Sequence, residues 1–324
     1  MKFLVTGGAS FIGSNIVEQL LKDGHDVVVL DNFSSGKEGN LAFVKNYTQT
    51  ATRYTLIKGD ICDKATCNRA CKGIDVVLHQ AALRSVPKSM NKPHEFNAVN
   101  IDGTLNMLEA ARDNKVKRFV FASSSSVYGD TDKFPEKEYA YPLLISPYAL
   151  SKLAGEYYCR IFSEHSGLET VGLRYFYVFG PRQALDDEYA VVIPKFIHCI
   201  LNDKQPPIFG TGKQSRDFTY IDNVVQANIL AATTPGIKHE VFNVATGKDN
   251  TVLRLVDILN KIIGKNLKPM FLPPRPGDIF RSYSDISKIK KTLKFEPKIN
   301  FEKGLKRTIE YFKKSIVASQ LAKM

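Results

Sequence analysis

Tyr148 and Lys152, four residues apart in "SPYALSK" (146–152), are the pair whose chemistry can be read most directly. Residues four apart in a helix share one face. A free tyrosine with pKa near 10 is only about 0.1% ionised at pH 7, and each unit of depression gains about tenfold in phenolate. A neighbouring ammonium stabilises that anion, so the pair can make a general base near neutrality. Tyr-x-x-x-Lys pairs also occur on ordinary amphipathic helices. What singles this one out is the serine-rich strand end "SSSSVYG" (123–129), which begins upstream of it with Ser123 and Ser124.

A second constellation is "TGGASFIG" (6–13), set between an apolar strand and an amphipathic helix. In a dinucleotide loop one glycine makes the tight turn, one lets backbone approach a pyrophosphate, and one packs helix on strand, with the helix N-terminus supplying a positive dipole. Gly7 and Gly13 hold the outer positions, and Ser10 stands where a central glycine is expected. A serine there brings a Cβ towards the pyrophosphate or takes a left-handed conformation, at about 1–2 kcal/mol. Its hydroxyl can recover part of that through a phosphate hydrogen bond, and Ser10→Gly is expected to raise NAD occupancy. "VVVLDNF" places Asp31 18 residues beyond Gly13, where a carboxylate accepts from an adenosine ribose and repels a 2'-phosphate, favouring NAD over NADP. A nicotinium ring would add its charge to that of Lys152 beside the phenol. Asp60 in "KGDI" suits either the adenine edge or a helix cap.

The elements that must position these groups alternate along the first half: "KFLVT", a helix over 12–23, "DVVVL", "YTLIK", "DVVLHQ", a helix over 94–113, "RFVFAS", a helix over 147–166 and "TVGLRY". Apolar β-branched runs flanked by helices mark strands buried on both faces of a parallel sheet. The fold class is therefore α/β, a Rossmann-type doubly wound sheet. From about residue 176 the chain turns to Gly- and Pro-rich stretches, "VFGPRQ", "QPPIFGTG" and "LPPRPGD", which suit a smaller C-terminal α/β domain over the carboxyl edge of the sheet. The expected division is a nucleotide-binding unit over 1–175 with a returning segment near 217–246, a substrate unit over 176–216 and 247–312, and a tail over 313–324.

With 324 residues, 44% hydrophobic and 24% charged, the composition is that of a soluble globular protein. The net charge of +12 is dispersed, and its densest cluster, "SKIKKTLK" (287–294), reads as a solvated helix face, so no nucleic-acid partner is expected. Five cysteines, Cys62, Cys67, Cys71, Cys159 and Cys199, without a Cys-x-x-Cys pair, suggest neither a disulfide framework nor a metal site, and fit a reducing compartment. No run approaches a membrane span, and a cytoplasmic location is expected.

Taken in order, "TGGASFIG", "LDNF", "GDI", "HQAA", "NIDGT", "SSSSVYG", "YALSK", "LRYF", "GPRQ", "SRDFTYIDNV" and "RPGD" make the chain similar to the extended short-chain dehydrogenase/reductases, specifically the UDP-hexose 4-epimerases, over roughly residues 1 to 312. The resemblance implies Tyr148 as base, Lys152 as tuner of its pKa and ribose anchor, and Ser124 as hydroxyl partner, with Ser125 and Ser126 adjacent candidates. It implies an NAD site drawn from Gly7, Ser10, Phe11, Ile12, Gly13, Asp31, Asn32, Asp60, Ile61, Gln80, Ala81, Ala82, Asn100, Ser123, Tyr148, Lys152 and Tyr175. On the UDP-sugar side it implies Arg84, Ser85, Ser124, Ser125, Ser126, Tyr148, Tyr177, Val192, Phe209, Arg216, Arg275, Asp278 and Ser282. Two separated arginines, Arg216 and Arg275, suit a diphosphate through charge-assisted hydrogen bonds. A homodimer through the helices at 94–113 and 147–166 is expected on the same ground.

The implied reaction is NAD-dependent 4-epimerisation through a transient 4-keto sugar, without a metal. Related dehydratases carry an Asp-Glu pair beside the catalytic hydroxyl and related decarboxylases a glutamate; "SSSSV" supplies neither acid. In the family the residue four after the Asp of "RPGD" guards the sugar's C2 substituent. Here it is Ser282, a small residue that admits an N-acetyl group, whereas a register shift to Tyr283 would reverse the preference. The expected substrates are UDP-GlcNAc and UDP-GalNAc, with UDP-Glc and UDP-Gal also accepted; a strict UDP-glucose or UDP-uronate epimerase and a non-catalytic NAD sensor are the alternatives. Two positions depart from the pattern: Tyr177 replaces an asparagine that binds the UDP-sugar phosphate, and Arg84 adds a cation suited to a phosphate or a uronate carboxylate.

Overall fold

The computed structural model describes residues 1–47, 53–184, 192–274 and 279–321. The first half of the chain forms β1 (Lys2–Thr6), α1 (Phe11–Lys22), β2 (Asp26–Asp31), β3 (Tyr54–Lys58), α2 (Lys64–Cys71), β4 (Val76–His79), α3 (Val86–Asn91), α4 (Pro93–Asn97), α5 (Gly103–Asp113), β5 (Arg118–Ser124), α6 (Pro147–Ser166) and β6 (Glu169–Tyr175). The second half adds β7 (Val178–Phe179), α7 (Val192–Leu201), β8 (Pro207–Phe209), β9 (Ser215–Arg216), β10 (Thr219–Tyr220), α8 (Ile221–Thr233), β11 (His239–Val244), β12 (Asn250–Thr251), α9 (Val252–Ile263), β13 (Met270–Leu272), β14 (Arg281–Ser282), α10 (Ser287–Leu293) and α11 (Phe301–Leu321).

Seven of these strands make one parallel sheet in the order β11-β6-β5-β4-β1-β2-β3. Its strands are apolar on both faces because both faces are covered. Phe3 and Val5 pack on one side with Ile16, Val17 and Leu20 of α1 and Val224 and Ala227 of α8. Leu4 and Val77 pack on the other with Cys67 and Cys71 of α2 and Met107 and Leu108 of α5. Strand order reverses between β1 and β4, which opens a crevice at their carboxyl ends, the site a doubly wound sheet offers a ligand. Strand β11, from the second half, closes the sheet beside β6.

Helix α6 shows why local sequence and position agree. Ser146 caps it by accepting from the Ala149 amide at 3.1 Å, Pro147 starts it, and Gly167 ends it in the left-handed region at φ 73°. Its inner face is held by Glu156, which meets the Arg174 guanidinium in two bonds of 2.8 and 2.7 Å and accepts from Ser123 at 2.5 Å. The helix that begins beside the crevice is thereby fixed to β5 and β6. The smaller sheets, β12-β9-β14, β10-β7 and β13-β8, lie in the second half of the chain. Helix α10 buries Ile289 and Leu293 and turns its lysines outward, as the pattern of 287–294 predicts. Among the described residues no helix is long and apolar enough to cross a membrane.

Candidate active site

Ser124, Tyr148 and Lys152 come together where β5 ends and α6 begins. Ser124 leads into a tight turn over 125–128 and accepts from the Ser126 amide at 3.2 Å and its hydroxyl at 3.0 Å. Burial raises the Tyr148 pKa, and a hydrogen bond with Ser124 and the Arg84 charge only partly oppose it. Lys152 donates to the Ala122 carbonyl at 2.8 Å, with its ammonium 6.0 Å from the centre of the Tyr148 ring. Burial pushes its pKa down to about 8. Arg84, which the resemblance places on the substrate side, thus brings a charge that favours the phenolate. Phe96 of α4 meets the Tyr148 ring edge-on at 6.3 Å and limits its rotation.

Arg84 and Ser85 are positioned by Asn100, which lies in a π-helical turn between α4 and α5. Asn100 accepts from the Leu83 amide at 2.7 Å and donates to the Leu83 carbonyl at 2.9 Å and to Ser151 of α6 at 3.0 Å. Its side chain thereby ties the loop after β4 to α6. Ser85 sits at φ 105°, a backbone conformation that costs about 1–3 kcal/mol and persists where surrounding contacts enforce it.

At the carboxyl end of β1, Gly7 (φ 64°) and Gly13 make a cradle that tolerates no side chain. A Cβ would stand 2.8 Å from the Ala81 nitrogen at Gly7 and 2.1 Å from the Gly7 carbonyl at Gly13. Ser10 corrects the sequence reading: with φ −75° and ψ 175° it is extended, not left-handed, and is the N-cap of α1. Its oxygen accepts from the Gly13 amide at 3.2 Å and its one proton goes to the Gly7 carbonyl at 2.6 Å, so the hydroxyl is not free to donate to a phosphate. The amides of Phe11 and Ile12 have no carbonyl within the helix to meet, as at any helix start, and are left to an anion.

Asp31, 6% exposed, accepts from the Ala9 amide at 2.8 Å and the Phe33 amide at 2.8 Å, which fixes its carboxylate beside the glycine loop. Burial would raise the Asp60 pKa, but bonds from the Cys62 amide and the Asn32 side chain, both at 2.8 Å, outweigh it and hold it low. The cap of α2 is Asp63, not Asp60. Beyond the ends of β2 and β3 lies a cavity of about 650 Å³ lined by Asn32, Phe33, Gly36, Glu38, Lys58, Gly59 and Asp60. Phe33, Gly36, Glu38 and Lys58 were not legible as site residues; Gly36, where a Cβ would come within 2.9 Å of Asp31, carries the only local signal. Cradle, orphan amides, acidic partner and cavity together fit NAD.

The other residues expected on the NAD side are engaged within the protein. Tyr175 donates to Asn228 at 3.0 Å and Gln80 to Asn228 at 3.1 Å, while Ser123 is engaged with Glu156. The Ala81 amide bonds Thr6 at 3.2 Å, Ala82 follows it, and Ile61 is buried against Gly103.

Across the crevice, Arg216 is buried and donates to the Ser215 and Phe280 carbonyls at 2.8 and 3.2 Å. Its guanidinium lies 5.2 Å from the centre of the Tyr177 ring, a cation–π platform where the resemblance led us to expect an asparagine. Ser282 is 1% exposed and donates to Glu136 at 3.0 Å, so it points inward and not to solvent. Tyr283 instead stacks on Phe134 at 5.9 Å. Val192 opens α7 and Phe209 closes β8, both half-buried, and Ser125 begins the turn after Ser124. Arg275 and Asp278 lie outside the described residues.

Residues 3–245 match the NAD dependent epimerase/dehydratase family. The chain is 42% identical, with a TM-score of 0.91 and coverage of 97% of this chain and 98% of the other, to a UDP-N-acetylglucosamine 4-epimerase from Methanobrevibacter ruminantium in complex with UDP-N-acetylmuramic acid. It is 39% identical, also at TM-score 0.91, to a UDP-glucose 4-epimerase with UDP-glucose from Thermotoga maritima, covering 98% and 100%. A UDP-glucose 4-epimerase of Mycolicibacterium smegmatis is 35% identical over 97% of this chain and 99% of its own.

Proposed function

The chain belongs to the NAD dependent epimerase/dehydratase family, and from that premise we propose that it is a UDP-sugar 4-epimerase acting on UDP-GlcNAc and UDP-GalNAc, with UDP-Glc and UDP-Gal also accepted. The meeting of Ser124, Tyr148 and Lys152 on one crevice carries the reaction. Bound NAD supplies a reversible acceptor for the C4 hydride. Tyr148 takes the proton of the sugar 4-hydroxyl and returns it, Ser124 bonds the phenol, Lys152 stands beside the ring, and the Arg84 charge favours the phenolate. Asp31 holds the adenosine ribose and Arg216 the diphosphate. The sugar assignment is supported by Ser282, small and turned inward beside Arg216.

The division into a nucleotide unit over 1–175 with 217–246 and a substrate unit over 176–216 and 247–312 belongs to the same reading. So does a homodimer. Helix α6 exposes Leu150, Tyr157 and Ile161 by 53%, 56% and 46%, at spacings of seven and four that put them along one stripe.

The test is a panel of UDP-GlcNAc, UDP-Glc and the corresponding uronic acids, with product epimers resolved chromatographically. UDP-GalNAc should form from UDP-GlcNAc, and Tyr148→Phe should lower the rate by about 10²–10⁴. Undiminished turnover in that variant would remove the role of the tyrosine. Turnover of UDP-Glc without UDP-GlcNAc would overturn the sugar assignment.

A further inference from the structure

His79 closes β4, is 1% exposed and has no part in the reaction described above. Facing its ring are Thr6 from β1, Thr104 from α5, Phe119 and Phe121 from β5, and the Lys152 charge from α6. Burial and that charge push its pKa down to about 3, so the imidazole is neutral. Donor counting then fixes the tautomer. Thr104 spends its one hydroxyl proton on the Asn100 carbonyl at 2.6 Å, so towards His79 at 3.1 Å it can only accept, and the ring proton sits on Nε2. Nδ1 is bare and accepts the Thr6 hydroxyl at 2.9 Å, while the Thr6 oxygen accepts from the Ala81 amide at 3.2 Å. Every proton in this row from Ala81 to Asn100 points one way. The other tautomer would set Nε2 and the Thr104 oxygen against each other as two acceptors.

The two ends of the row are two places where the loop after β4 is held. Ala81 stands at the start of that loop, hard against Gly7. Asn100, in its π-helical turn, engages both polar backbone groups of Leu83 and reaches Ser151 of α6, which donates to the Tyr148 carbonyl at 2.8 Å. An apolar side chain at position 79 would fill the space without the cost of burying an imidazole, but would be bonded towards neither end. Arg84 follows Leu83 directly. Its charge acts on the Tyr148 phenol, which also faces Ser124 from β5, the Phe96 ring from α4 and Lys152 from its own helix. A Coulomb interaction falls with distance, so what the guanidinium contributes depends on where the loop holds it. We propose that His79 is a positioning residue of the reaction, fixing the loop after β4 at both ends so that the Arg84 charge bears on the Tyr148 phenol. This rests on Tyr148 as the base in the reading above. A buried polar network whose every member is satisfied holds a single arrangement, and this one links the glycine loop to the helix that carries the base.

The chain has no tryptophan, so an ultraviolet difference titration of each NAD-loaded protein against its Tyr148→Phe counterpart reads this one phenol cleanly. The proteins compared are wild type, His79→Leu, Thr104→Val and Arg84→Gln, and each of the first two variants combined with Arg84→Gln. His79→Leu and Thr104→Val should each cut the phenolate, at a fixed pH below the midpoint, by roughly threefold or more. Arg84→Gln alone should cut it by at least as much, and adding His79→Leu or Thr104→Val to it should cut it no further. An unmoved phenol in His79→Leu overturns the proposal whatever the melting temperature does, because a histidine that only stabilises the sheet leaves the titration where it was. A cut that persists in full on the Arg84→Gln background overturns it too, since the effect would then reach the phenol by another route. If His79→Leu does not fold, Thr104→Val and its combination with Arg84→Gln decide. If Tyr148→Phe turns over UDP-sugars undiminished, the reading of the base fails separately, and the titration still decides whether His79 places the Arg84 charge.

Discussion

Ser10 offers the sharpest opposition between what a motif suggests and what the loop does. Its hydroxyl makes two bonds, accepting from Gly13 and donating to Gly7, inside the turn that presents the α1 amides. Replacing an N-cap serine with alanine costs about 1 kcal/mol, within a range of roughly 0.5–2. The bond to Gly7 adds less than its full worth of about 1 kcal/mol, because that carbonyl also accepts from the Ser10 amide at 3.0 Å. Ser10→Ala should therefore destabilise the cofactor-free protein by about 1–2 kcal/mol, a melting-point drop of roughly 2–5 °C for a chain of this size. NAD binds the formed loop, so the same energy bounds the affinity loss at about five- to thirtyfold. Glycine is nearly as good a cap, so Ser10→Gly should melt between the two proteins and retain no more NAD than wild type. The assay is the NAD released per chain after gel filtration, with thermal melting of the stripped protein. A Ser10→Gly protein that keeps more NAD than wild type, or a Ser10→Ala protein that melts with it, would refute the capping argument and restore the view of the serine as an obstacle.

Two further outcomes follow from buried charge. Glu156 and Arg174, each 5% exposed, form a doubly bonded pair beneath α6, so Glu156→Ala strands a guanidinium and should cost about 3–5 kcal/mol in denaturant unfolding; Arg174→Met added to it should restore part of the loss. A destabilisation below about 1 kcal/mol would mean that water reaches the site. Lys152, with its pKa down at about 8 against 10.5 in the unfolded chain, is costly to bury as an ammonium. The unfolded chain holds the extra proton between those values, so wild-type stability should rise with pH relative to Lys152→Met from about pH 8 to 10.5. The variant should be the more stable below that window, by up to about 3 kcal/mol, while losing activity. Parallel stability profiles for the two proteins across the window would sink this reading.

Legibility tracked the range of the interactions involved. Helix α6 was readable to its ends because Ser146, Pro147 and Gly167 act locally, and the strands because burial on both faces demands apolar runs. The place of Asp31 beside the glycine loop was readable from spacing alone. At Ser10 the glycine pattern is a poor guide, because what decides the position is the backbone angle, and an extended φ at a helix start favours serine over glycine. Phe33, Glu38 and Lys58 were missed because their cavity exists only once β2 and β3 stand side by side. The burial of Glu136 was not legible for a stronger form of the same reason. Nothing near it in sequence announces that its loop lies on β14, 146 residues from Ser282 by chain and 3.0 Å by hydrogen bond.

The same distinction bears on catalysis. Burial raises the Tyr148 pKa against the combined pull of Ser124 and Arg84, so in the protein by itself the phenol stays protonated at neutral pH. Lys152 does not change this, because its ammonium is committed to the Ala122 carbonyl and is itself disfavoured by burial. The sequence argument that an ammonium one turn away makes a base is thus incomplete: the burial that brings Lys152 close also weakens its charge and raises the pKa it is meant to lower. Arg84 differs from Lys152 in being exposed, and its charge favours the phenolate. A departure from the family pattern in the loop after β4 therefore brings a charge to bear on the Tyr148 phenol. Asn100 and the strained Ser85 backbone are the means by which the fold holds that loop to the helix carrying the base.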